Sequence, residues 1–482
     1  MKKVLILFVF ICSISVTIYP QSPRRFSVKE IKGDLEYLRN TLESAHYNLY
    51  AYTKKEVFDS VYREIDSSIK DSLTSLQINR LFQPYTALSK IGHCSADLPI
   101  NDYVAYLEKG GNLFPFNVYF SNSQVYIQNN FSADSSIVKG DEIASINGKS
   151  MEEVMNGIYR YLSGESNYFK NAFIDQILFP RIYWIVHDRC DTFSLEIKEE
   201  KGTIVTKKVN AILGGEFERK WRTQQKTAQN EIREFRFVND IPYLQPGPFM
   251  NPSNQFFSNK TFDTQMYLHF MDSCFTEIHK KGSECLIVDL RNNPGGMSIF
   301  SMPLVSYFAK EPFSSVIKVT YKTSQATKDG LKNITDSVLT PDDLKLKNDL
   351  LSHKNGSFFE SISNDKYFPQ NDSLRFKGKV YILVNRHTYS EAIEASALIQ
   401  DYKFGIIVGE MTPNTATMYA SIQQFKLPNT QLNIQYPRAF LERKNKQASL
   451  IGVIPDYQIE DNPLTDKDEI LDYTIELLCK KK

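Results

Sequence analysis

The sequence lacks any imbalance of charge: 57 lysines and arginines stand against 56 aspartates and glutamates in 482 residues. A surface for nucleic acid or anionic membrane would show as a basic excess or as runs of Lys and Arg, and neither occurs. Paired cysteines are lacking too. Beyond the N-terminal segment there are five, Cys94, Cys190, Cys274, Cys285 and Cys479, an odd number with no C-x-x-C among them. That argues against a disulfide framework and against a cysteine zinc site, and leaves small buried hydrophobes. There is no H-E-x-x-H and no phosphate-cradling P-loop, so no metal, nucleotide or other cofactor is implied. Internal repeats and low-complexity tracts are absent. Past the first twenty or so residues, no apolar run reaches the ~20 residues of a bilayer span.

What is present begins with MKKVLILFVFICSISVTIYPQS, two lysines and an apolar stretch from Val4 to about Ile18, then Pro20. Residues 1–21 are expected to be a secretory signal peptide, which makes the protein periplasmic or secreted. Cys12 lies inside the apolar run behind Ile11, not behind a small residue, so a lipoprotein anchor is not expected. With 42% hydrophobic residues, the remainder can build a sizeable core divided into domains.

Residues 25–100 have helical periodicity, with Ile31, Leu35, Leu38 and Leu42 on one face and Val57, Val61, Ile65 and Ile69 on another. From about residue 112 the pattern becomes short β-rich runs. A turn at Lys139-Gly140-Asp141 leads to EIASI, then Asn147-Gly148 and a helix from Met151; 192–213 predicts a hairpin around Lys201-Gly202. From about 236, strand and helix alternate: PYLQPGPF, a helix over 262–281, the buried strand ECLIVDL, a Gly-rich turn and a helix after Met297. The polar stretch 311–378 is expected to be an insertion rather than core. KVYILVN, a helix from Glu391, FGIIVGE, a hairpin through Pro428-Asn429 and a helix near 468–480 complete the chain.

Four stretches of the second half form a series: LIVDLRNNPGG (286–296), VNRHTYSEA (384–392), IIVGEMT (406–412) and GVIPDYQIED (452–461). In this order and spacing they resemble the tail-specific, or C-terminal processing, serine proteases, the family that includes the tricorn core protease. The resemblance runs over most of the chain beyond the signal segment. It implies an α+β multidomain fold: an N-terminal helical segment over 25–100, a PDZ-like β module over 101–215 around GDEIASINGKS, and an α/β protease core of the ClpP/crotonase-like kind over 230–480.

In that family a serine at the start of a helix attacks the peptide carbonyl. Counting nineteen residues back from Gly409 of the GE-x-T motif reaches Ser390. A hydroxyl there lies among unpaired N–H groups and the positive end of the helix dipole, which favours a developing oxyanion. The resemblance implies the N–H of Glu391 as one oxyanion donor and an N–H of the Gly295-Gly296 turn as the other. Thr388 and Glu391 also match a capping box, in which Ser390 is an ordinary first-turn residue.

A serine needs a base. Processing proteases of the family use a lysine twenty-five residues after the serine; here that position is Thr415, and the loop has no lysine. The tricorn-like branch uses an N-terminal histidine oriented by a glutamate. The matching stretch is LSKIGHCSADLP, where His93 stands two residues before the family's place for it. His93 is thus the candidate base, His387 the second candidate, and Glu442 the candidate orienter. Asp289, Arg291, Pro455 and Asp456 are expected to be structural. The expectation is an exported serine endopeptidase whose partner is a peptide or protein, held by a chain end through β-augmentation. The rival expectation, motivated by the missing lysine, is a catalytically decayed peptide-binding protein on the same fold. The sequence leaves the oligomeric state open.

Overall fold

The computed structural model describes residues 24–479, apart from 122–123, 188, 200–201, 228–232, 252–262, 315–317, 333, 337–340, 362–365, 444 and 446–451. The expected signal peptide lies outside the described residues. The chain is a mixed α/β multidomain protein in which four buried clusters each serve a different set of elements.

The core sheet runs in the order Glu234–Val238, Ile241–Gln245, Cys285–Asp289, Lys379–Val384, Ile406–Gly409, Tyr457–Gln458. Its first pair is antiparallel and the rest parallel. Leu286, Ile287, Val288 and Tyr381 to Val384 are all fully buried, because helices cover both faces. That is why these strands read as unbroken apolar runs. Gln265–Lys281 and Ser298–Ser306 pack on one face, and Glu469–Cys479 on the other.

A second sheet has the order Phe358–Ser361, Lys318–Lys322, Asn433–Glu442, Met418–Lys426. The stretch 311–378 is therefore not peripheral, since Lys318–Lys322 sits between two partners of this sheet. The short strand Ser95–Ala96 also pairs with Asn433–Glu442, through Ile434 opposite Ala96. This pairing fastens the end of the N-terminal region to the sheet. That region consists of the helices Val28–Ala45, Lys55–Ser68 and Ser75–Ala87, with Leu35, Leu38, Leu42 and Phe82 fully buried.

Between these parts lies an antiparallel sheet in the order Ile204–Asn210, Thr192–Lys198, Glu142–Ile146, Gln124–Asn130, Phe116–Ser121. It packs on the helices Met151–Tyr161 and Phe179–Val186 around Phe114, Ile158 and Leu195. Alternate residues of Thr192–Lys198 are buried, as a half-covered strand requires.

Candidate active site

Strand Lys379–Val384 ends in a tight turn before helix Glu391–Asp401. Asn385 builds the turn: its Oδ1 accepts from the His387 N–H at 3.0 Å and its carbonyl accepts from the Thr388 N–H. Thr388 Oγ1 accepts from Asn385 N–H at 3.0 Å and donates to the Leu290 carbonyl at 2.9 Å. Its hydroxyl is thus fully engaged, and the expected capping box does not form. Ser390 is the N-cap instead, at φ 53° and ψ −124°, and its side chain caps nothing. A non-glycine residue there costs about 1–3 kcal/mol, a strain found where a side chain must be held out of the regular path.

The turn after strand Cys285–Asp289 lies directly against Ser390. A Cβ on Gly295 (φ 91°) would stand 2.8 Å from both Ser390 Cβ and the Glu391 nitrogen. One on Gly296 (φ 138°) would stand 2.1 Å from the Phe249 carbonyl oxygen. Only glycine permits either approach. The two glycines differ in their N–H groups. The Gly295 N–H donates to Asn293 Oδ1 at 2.9 Å, so it is engaged, whereas that of Gly296 has no acceptor among the described residues. The Glu391 N–H is likewise without an acceptor there, as the first residue of a helix must be.

His93 comes from the far end of the chain. It sits in the loop before strand Ser95–Ala96 and is 4% exposed, with its ring centroid 5.6 Å from that of Tyr389. Its Nδ1 is 2.8 Å from the Tyr419 carbonyl. A carbonyl only accepts, so Nδ1 carries the proton and the neutral ring has its lone pair on Nε2. Burial lowers the His93 pKa, with the Tyr419 bond opposing it. The ring is therefore an unprotonated acceptor at neutral pH.

Residues 260–459, the segment holding the Ser390 turn and the glycine turn, match the profile of Peptidase family S41. It is this segment, 200 of the 482 residues, that is similar to peptidase family S41. Among solved structures, mature CPAF is similar over 94% of this chain and 97% of its own, at 15% identity and a TM-score of 0.64. Mature CPAF complexed with lactacystin is similar over 94% and 98%, at 15% identity and a TM-score of 0.61. At that identity the likeness is one of fold. Curated proteins give no significant sequence match. His93 lies outside the S41 segment and joins it only through the fold.

The Glu442 carboxylate stands 3.9 Å from Lys318 Nζ, and it is a main-chain carbonyl that meets His93 Nδ1. His387 has Asn292 Oδ1 at 3.2 Å from Nδ1 and Asp175 Oδ2 at 3.2 Å from Nε2, so both ring nitrogens are engaged away from Ser390. Thr415 hydrogen-bonds the Thr417 carbonyl. Arg291 pairs with Asp289 at 2.7 Å and with Asp468 at 2.5 Å, and the Asp456 carboxylate accepts from Ile407 N–H at 2.8 Å. Both are structural. The glutamate of GE-x-T, Glu410, forms a buried pair with Arg386 at 2.8 Å, which fixes the Ser390 turn to the neighbouring strand. Cys94, beside His93, is fully buried and its thiol is pushed up to about 12 by burial, the reverse of an activated nucleophile.

Two features escape sequence reasoning. Tyr419 acts through its carbonyl, which any residue type supplies. Glu165 lies in the loop before helix Asn167–Ile177, and its Oε1 accepts from the N–H of Gly92, next to His93, at 3.3 Å. Its Oε2 is buried with no partner among the described residues, and burial pushes the carboxyl up to about 7. Glu391, which follows Ser390, is bonded by the Ser301 hydroxyl, and burial with the nearby Glu394 raises its pKa well above the carboxylate range. Both causes favour the uncharged form of this carboxyl.

Proposed function

We propose that this chain is a serine endopeptidase that cleaves peptide bonds through an acyl-enzyme on Ser390. In this mechanism Ser390 Oγ attacks the carbonyl carbon while His93 Nε2 takes its proton. The oxyanion accepts from the Glu391 and Gly296 N–H groups. His93 then returns the proton to the leaving amine, and water attacks the acyl group with His93 again as base. The protonated ring is held by the Tyr419 carbonyl, a neutral acceptor in the place of a carboxylate. The carrying observation is the tautomer: a buried histidine beside the Ser390 turn, with Nδ1 engaged and Nε2 left as acceptor.

The middle antiparallel sheet is read as PDZ-like, receiving an extended chain end by β-augmentation. Its edge strand Phe116–Ser121 supports this, because the Phe120 carbonyl accepts from Arg386 Nη1 at 3.2 Å, at the base of the Ser390 turn. Export to the periplasm or medium belongs to the same proposal and rests on the N-terminal sequence.

One observation favours the peptide-binding rival: Ser390 Oγ makes no hydrogen bond among the described residues. Catalytic contacts often tighten only with substrate. Labelling with a fluorophosphonate separates the readings. The peptidase requires wild type to be labelled and both Ser390→Ala and His93→Gln to be silent. A folded wild type that stays unlabelled with peptide present makes the rival correct.

A further inference from the structure

Helix Ile100–Glu108 carries Ile100 and Tyr103, yet none of its residues is buried. Beside it lies a cavity of about 50 Å³. Three elements wall it. Leu98 and Ile100 come from the start of this helix, Phe173 and Ile177 from helix Asn167–Ile177, and Trp184 and Ile185 from helix Phe179–Val186. The cavity is partly open to solvent, and Gln176, on its wall, is exposed. Room for one water takes roughly 10–15 Å³ counted in this way, so the space holds about four, the bulk of one phenyl ring.

The polar groups of the wall are turned to one another. Arg181 is its charged side chain, and the guanidinium is spent: Nε and Nη2 donate to Glu218 at 2.9 and 2.7 Å, and Nη1 donates to the Ile177 carbonyl at 3.2 Å. The Tyr103 hydroxyl donates to the same carboxylate at 2.7 Å. An anion therefore finds no unmatched cation here, and a cation finds Glu218 already paired. Ring faces and aliphatic carbons remain. Such a cavity gives water few partners and takes small hydrocarbons, because its lining lacks contacts that an apolar molecule restores. The joint between two of its helices needs that packing. Leu178 stands at φ 80°, a strained value for leucine, so its neighbours must hold it there.

The cavity is connected to the candidate active site by a series of rings. Phe173, on the wall, stacks on Phe169 with centroids 6.5 Å apart and planes at 8°. Phe169 lies 5.7 Å from Tyr389, and Tyr389 lies 5.6 Å from His93. Phe169 also presses on the residue before His93, since a Cβ on Gly92 would stand 2.6 Å from its ring. Two residues past Phe173, Asp175 holds the His387 ring of the Ser390 turn at 3.2 Å. Helix Asn167–Ile177 thus has one side on the cavity and another on both loops of the site.

We propose that this cavity binds one neutral, phenyl-sized apolar molecule and that its filling steadies helix Asn167–Ile177 and thereby promotes the reaction at Ser390. The second half alone rests on the peptidase reading.

The test uses the full chain and bromobenzene, whose heavy atom quenches a tryptophan it touches. The chain has two tryptophans, Trp184 on the wall and Trp221 off it, so Trp221→Phe leaves Trp184 as the reporter. Bromobenzene should quench most of its emission and saturate, whereas 4-bromobenzoate, which is charged, should quench only weakly and in proportion to concentration. Ile100→Phe, which fills the space, should abolish saturation, and Leu98→Phe serves if that variant does not fold. Quenching by bromobenzene that never saturates, or that saturates equally in the filled variant, overturns the site; equal saturation by 4-bromobenzoate overturns its neutral character. In the native chain, saturating bromobenzene should speed fluorophosphonate labelling about fivefold or more. Phe169→Leu should keep saturable quenching and lose that acceleration. An unchanged rate in the native chain overturns the coupling and leaves the site. A native chain that is not labelled with or without bromobenzene sinks the peptidase reading and the coupling with it, while the quenching decides the cavity by itself.

Discussion

Two loops bring a histidine toward Ser390, and they differ in what their ring nitrogens touch. His387 is three residues away in sequence, on the same turn, yet its nitrogens face Asn292 and Asp175. It serves to join that turn to helix Asn167–Ile177. His93 is almost three hundred residues away, yet it lies beside Tyr389 with only Nδ1 engaged among the described residues. Proximity along the chain thus does not decide which ring nitrogen is left open. What matters is which nitrogen keeps its lone pair, and a single backbone carbonyl settles that.

The comparison is broken or sharpened by four measurements. Replacing Ser390 by alanine should have the largest effect, a fall in peptide cleavage of about 10⁴-fold or more, and complete loss of fluorophosphonate labelling. Residual cleavage near the wild-type rate would remove both histidines from consideration. Next, His93→Gln should slow labelling by about 10²–10⁴-fold. In the wild type, burial holds the His93 pKa below the histidine range, and the base works only when neutral. Labelling should therefore keep its plateau as pH falls through roughly 6.5 and decline only at lower pH. An acid limb centred at or above 6.5 would contradict the buried ring.

A smaller effect is expected at Glu165, whose folded pKa of about 7 lies above its ordinary 4.5. A carboxyl raised in this way stabilises the fold fully below the unfolded value and loses that stability as pH rises through 7. Glu165→Gln removes the ionisation. The variant should be about 1–3 kcal/mol more stable than wild type at pH 8 and little changed at pH 4, by thermal or urea unfolding. Equal gains at both pH values would mean that the charge of Glu165 is not the cause. The smallest effect is assigned to His387→Gln, which should cost at most about 1 kcal/mol of stability through the Asp175 pair and leave labelling within a few-fold. If His387→Gln silences the protein while His93→Gln does not, the comparison is reversed.

Much of the core is legible in the sequence. Parallel strands covered on both faces must be apolar throughout, so ECLIVDL and KVYILV declare themselves. Lys318–Lys322 does not, because all five of its residues are half-buried and its lysines hide the strand period. Thr388 and Glu391 have the spacing of a capping box, but spacing cannot show that the Thr388 hydroxyl is taken by Asn385 and Leu290. Nor can it distinguish Gly295 from Gly296, since the difference lies in the side chain of Asn293. Glu442 is suggested by family pattern, and its strand directs it to Lys318.

The sequence alone determines the turn that lifts Ser390 out of the strand, the glycines that let a second turn approach it, and the absence of a lysine at Thr415. These are local matters of dihedral freedom, residue size and residue identity. The tertiary structure alone decides that His93 meets Tyr389 and that a carbonyl rather than a carboxylate holds its proton. Such relations depend on which distant strands pair and in what register. A main-chain carbonyl looks the same in every residue, so no reading of side chains along the chain could have marked the one at Tyr419.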